Sequence, residues 1–93
     1  MPEICRFFGI IIRMFFDEHE PPHFHAEYQG NKAVFDFNGS IIKGTLNSKT
    51  ATRLLREWID LHLLELEEDW RLAKAGEEVK KIDPLNRGEE CGI

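Results

Sequence analysis

Hydrophobic and polar positions follow two different periods in this chain, and the change falls near its midpoint. Residues 4–8 and 10–16 are β-branched and aromatic runs joined at Gly9, which predicts two strands in a hairpin. A turn at Phe8-Gly9 places Cys5 and Phe7 on one face with Ile10 and Ile12, and Arg6 on the other with Ile11 and Arg13. After Pro21-Pro22, two donorless residues of fixed φ that force an extended elbow, the alternation resumes. Phe24, Ala26 and Tyr28 share one face; His23, His25 and Glu27 share the other. Gly30-Asn31, read as a type II′ turn, sets Ala26 opposite Phe35, His25 opposite Asp36 and Phe24 opposite Phe37. Asn38-Gly39 turns the chain into residues 40–46, where Ile42 is expected in the core and Ile41 and Lys43 beside the histidines.

From Asn47 onward the period lengthens. Asn47, Ser48 and Thr50 are cap candidates, and Ala51, Leu55, Trp58, Ile59, Leu66, Trp70 and Ala73 keep helical spacing up to a stop at Gly76. One helix of that length would reach about 39 Å, so a bend or break is expected around residues 61–64. The pattern predicts an α+β fold: an antiparallel meander of about five strands with one long helix or a helix pair on one face. Residues 1–85 read as a single domain in which Ile82 and Leu85 dock from an extended return segment, and residues 86–93 as a flexible tail.

Composition narrows the function classes. With 42% hydrophobic residues in 93, the chain is a folding sequence rather than a disordered one. The apolar run at residues 7–16 is broken by Arg13 and too short to span a bilayer, which predicts a cytoplasmic protein with no membrane association. Cys5 and Cys91 give no disulfide framework and read as two reduced thiols. A net charge of −5 argues against indiscriminate grip on nucleic acid. Any such contact needs a local cluster of bases.

The concentrated chemistry lies in residues 17–28, which hold three of the four histidines. His19, His23 and His25 are candidate metal ligands, since imidazoles two apart on a strand face the same way. No H-E-x-x-H and no cysteine partner accompanies them, so no cofactor is assigned. A second reading takes His23, His25 and Asp36 as acid–base residues, with Asp36 orienting His25. Arg6, Arg13, His19 and Glu27 would then bind substrate, and the absence of a nucleophile suits RNA cleavage by the ribose hydroxyl. Against both stands an ordinary cross-strand pair facing solvent. His62, between Trp58 and Leu66, reads as a core-edge histidine, and the acids at 65 and 67–69 as a solvated helix face.

The Met-Pro-Glu-Ile start, Arg6-Phe7-x-Gly9, the H-x-P-P-H-x-H signature of His19, Pro21, Pro22, His23 and His25, then Trp58, His62 and Trp70, resemble a family of small bacterial proteins. That family carries only a domain-of-unknown-function label. The resemblance implies a cognate small protein encoded by a neighbouring gene, in an arrangement like a toxin–antitoxin pair. It brings no settled catalytic residues. The expected function is therefore a toxin-like component that binds this partner; the alternatives are an RNA- or phosphate-directed enzyme and a metal-binding module.

Overall fold

Two successive residues of positive φ, Phe8 at 50° and Gly9 at 79°, close the first hairpin as a type I′ turn. They join β1 (Glu3–Phe7) to β2 (Ile10–Arg13) in the computed structural model, which describes residues 3–15 and 20–85. The register is the expected one, Phe7 opposite Ile10 and Cys5 opposite Ile12, with all four side chains buried. A bulge between Glu3 and Cys5 turns Ile4 inward as well. Cys5 is disulfide-bonded, against the expectation of reduced thiols, and Cys91 lies outside the described residues.

The second hairpin corrects the sequence reading. β3 (His23–Tyr28) and β4 (Asn31–Asp36) are joined by Gln29 and Gly30, whose φ values of 48° and 83° again make a type I′ turn. Gln29, not Asn31, accompanies the glycine, because a polar unbranched residue tolerates the left-handed region well enough for the strand twist to prevail. Pairing therefore slides by two residues: His23 faces Asp36, Phe24 faces Phe35 and His25 faces Val34. Two is the strand period, so every side chain keeps its predicted face.

After Asp36 a loop of residues 37–40, with Gly39 at φ 89°, leads into β5 (Ile41–Gly44). The five strands form one antiparallel sheet in chain order. A shift between Val34 and Phe35 puts Lys43 opposite Val34, as expected, but pairs Ile41 with the core residue Phe35 rather than leaving it beside the histidines, so Ile42 does not join the core as expected. It is 50% exposed on the outer strand. Gly44, φ 76°, ends β5: a Cβ there would lie 2.3 Å from the Lys32 carbonyl oxygen.

Ser48 caps α1 (Lys49–Leu61) by accepting a hydrogen bond from the Ala51 amide at 3.1 Å. The expected break falls at His62, φ −122°, and α2 (Leu63–Lys74) follows. At its far end Gly76 and Glu77 donate to the carbonyls of Ala73 and Leu72 at 3.1 and 2.8 Å, the Schellman closure the glycine predicted. Ala51, Leu55, Trp58, Ile59, Leu66, Trp70 and Ala73 are all buried with Phe7, Phe24 and Phe35 of the sheet. The architecture is thus the α+β arrangement expected, with the helix-pair alternative realised.

Residues 77–85 return along the β1 side. Ile82 is buried and donates its amide to the Ile4 carbonyl at 2.8 Å, while the Trp58 indole donates to the Asp83 carbonyl at 2.8 Å. The Lys80 amide donates to Asp69 Oδ1 at 2.9 Å. Asp69, expected on a solvated face, is 1% exposed, and its other oxygen has no partner among the described residues. Burial pushes this carboxyl up to about 6, against the pull of the Lys80 amide. Among the described residues no helix is long and apolar enough to cross a membrane.

Candidate functional site

The sheet face turned away from the helices carries the candidate chemistry, because alternation in β2, β3 and β4 sends every second residue there. One transverse row crosses four strands: Arg13 stands opposite His25, His25 opposite Val34, and Val34 opposite Lys43. In the next row Ile11 faces Glu27 and Glu27 faces Lys32. Between the rows lies a depression of about 410 Å³ lined by Arg13, Phe15, His25, Glu27, Lys32 and Lys43, with Val34 in its wall. Ala26 and Ala33, core residues between the two rows, also line it.

Charges around the depression are unequal. Arg13 donates to Glu27 Oε1 at 3.1 Å, which neutralises the pair and holds both side chains. Lys32 and Lys43 add two cations. Phe15 meets His25 edge to face, ring centres 4.3 Å apart, and so fixes the imidazole plane. Such a concavity, cationic with one aromatic wall, suits a carboxylate or phosphate carried on a larger partner.

Beyond His25 the aromatic rings continue toward the helices. His23 lies 5.6 Å from His25 and 5.2 Å from Trp70, ring centre to ring centre, and Trp70 meets Phe37 at 6.3 Å. His23 Nδ1 donates to the Pro21 carbonyl at 2.8 Å, so the elbow orients the ring. The Trp70 indole donates to Glu20 Oε2 at 3.1 Å, and Lys74 approaches the same oxygen at 3.6 Å. Helix and elbow are tied together there.

The predicted site residues are brought together only in part. His23, His25, Asp36, Arg13 and Glu27 share one face, as expected. The expected His25–Asp36 partnership is absent, because the register places Val34 opposite His25. Asp36 Oδ1 instead accepts the amides of Asn38 and Ser40, each at 2.9 Å, and serves the loop. Arg6 lies away from the depression and is held by Glu3 through two hydrogen bonds of 3.1 and 2.9 Å, which keep the Glu3 carboxyl below its ordinary range. His19 lies outside the described residues. Among the described residues no three His, Cys, Asp or Glu side chains are arranged to hold a metal. His62 is no site residue: its Nδ1 pairs with Glu65 Oε1 at 2.5 Å, and its ring packs 5.6 Å from Trp58.

Lys32 and Lys43 lie on the histidine face that the hairpin pattern predicts, though no binding role was assigned to them; Phe15 was not among the predicted site residues. Strand alternation marks the two lysines whichever of the two registers is taken. For Phe15 the signal is the same alternation, since it lies two residues beyond Arg13 in the run read as a strand, although β2 itself ends at Arg13.

No curated protein and no solved structure matches the chain. The family model described as a domain of unknown function, DUF4160, matches residues 9–71, more than half of the chain and all of the strands and residues that build the depression, and the protein belongs to that family.

Proposed function

We propose that this protein is the toxin-like member of a two-protein pair and that its polar sheet face holds the cognate small protein. The observation that carries this reading is the depression lined by Arg13, Phe15, His25, Glu27, Lys32 and Lys43. A solvated face has no need of an imidazole clamped edge-on by a phenyl ring between cations. An acidic side chain with an apolar neighbour on the partner would satisfy the lysines and pack on Phe15 and Val34 together. The pairing with a neighbouring gene product comes from the family resemblance. A cytoplasmic location belongs to the same proposal and requires the Cys5 disulfide to be reduced there.

The test is co-expression with the product of the adjacent gene. Growth arrest by this chain alone, relief by the partner, and a complex that survives gel filtration are the expected results. His25→Ala should leave the melting temperature unchanged and weaken the complex by more than ~1 kcal/mol. Absence of both complex and growth effect would remove the proposal.

A second reading is favoured by the row Arg13–His25–Val34–Lys43 itself, in which an imidazole stands among cations. An RNA phosphate could take the same place, with His25 and His23 moving protons during attack by the ribose hydroxyl. Loss of RNA cleavage in His25→Ala, with partner binding intact, would select this reading over the first.

A further inference from the structure

The two edges of the sheet are treated differently. At β1 the return segment lies alongside, with Ile82 buried and its amide bonded to Ile4. At β5 the sheet order leaves one side without a strand neighbour. All four β5 residues are exposed, and Ile41 and Ile42 remain 38% and 50% accessible. Among the described residues no further strand pairs with that side.

Charge around this edge is also singular. Residues 32–56 hold five bases, Lys32, Lys43, Lys49, Arg53 and Arg56, and one acid, Asp36, which is engaged in its own loop. Arg53 is paired with Glu57 at 2.8 Å and Arg56 donates to the Gly39 carbonyl at 2.8 Å, so the lysines carry most of the excess. Residues 57–69 hold six acids and no base. Lys49, Arg53 and Arg56 line a hollow of about 570 Å³ with Thr45, directly after β5. Lys32 and Lys43 line the depression on the polar face. In a chain of net charge −5, the open edge lies within its basic region.

We infer that the cognate protein contributes an acidic, extended segment that adds to the sheet as a sixth strand beside β5. This rests on the reading that such a partner binds, and it specifies the edge and the chemistry. The added backbone would complete the ladder, its apolar residues would cover Ile41 and Ile42, and its carboxylates would meet Lys43 and the bases beyond Thr45. Edge strands are commonly protected by shortness, bulges and lysine, and β5 has all three. Those devices repel a second copy, which would set the same five bases against themselves. They do not repel an acidic strand. RNA would neutralise the bases but leave the ladder and both isoleucines unsatisfied.

The experiment compares hydrogen exchange of the free protein with that of its complex with the adjacent gene product. Amides of Ile41–Gly44 should slow by at least about tenfold in the complex. Ile42→Pro, which removes a donor at an exposed position, and Lys43→Glu should each weaken binding by about tenfold or more, the second chiefly at low salt. Melting curves check that both variants fold, and the exchange experiment needs no variant. A complex in which β5 exchanges as in the free protein overturns strand addition while the two-protein reading stands. A 12-nucleotide oligouridylate that displaces the partner and is lost in Lys43→Glu, but not in Ile42→Pro, assigns the bases to nucleic acid and also overturns it. No complex at all removes both.

Discussion

Gly44 and Asp69 show how much a single position can carry in this fold. At Gly44 two independent demands coincide, a positive φ and a carbonyl oxygen 2.3 Å from where a Cβ would be. Gly44→Ala should therefore cost more than an ordinary glycine replacement, on the order of 2–4 kcal/mol by denaturant melt, since backbone rather than a side chain must move. Asp69 bears on pH. Its folded-state value is raised to about 6 from an ordinary 3.8 because burial disfavours the charged form. The folded state holds the proton more tightly, so the stability this carboxyl contributes is full below 3.8 and lost as pH rises through 6. Urea melts at pH 5 and pH 7.5 should show a difference on the order of 1 kcal/mol favouring the lower pH, and Asp69→Asn should flatten it. The sequence marks the two residues unequally. A glycine in a strand already points to a bend or a close approach. One acid in a run of acids points to nothing, because its burial comes from a segment that folds back eleven residues later.

Among the elements, the helices were the most legible. Seven apolar positions at helical spacing are all buried, and both the break and the glycine stop occur where expected. Removing the α1 cap with Ser48→Ala should cost about 1 kcal/mol in thermal or chemical melts. At the junction of the helices Leu64 is 81% exposed, and Leu64→Gln should change stability by no more than about 0.5 kcal/mol. The second hairpin was half legible. Alternation assigned the faces correctly, but Gln29-Gly30 and Gly30-Asn31 both suit a tight turn, and only the twist of the paired strands decides between them. That ambiguity of two residues cost His25 its expected carboxylate without moving it from its face. The outer strand escaped for another reason. An edge has packing on too few sides to hold a strict register, and the shift at Val34/Phe35 follows.

Across the whole molecule, charge is ordered along the chain in a way that net charge conceals, although Arg53 and Glu57 meet where the two groups adjoin. Five bases gather around β5 and the start of α1, and six acids follow along the helices. Association with an acidic partner should accordingly slow as salt rises, about tenfold or more between 20 and 200 mM by stopped flow, if the basic edge meets it. The edges of the sheet carry one more consequence. Strand addition is a polymerisation, and its reach depends on how many ends can grow. With residues 77–85 fastened to Ile4, Trp58 and Asp69, β5 is the one sheet edge left uncovered among the described residues. If the strand addition inferred above takes place, an edge of this kind takes one added strand per molecule, which favours a pair over a growing ladder.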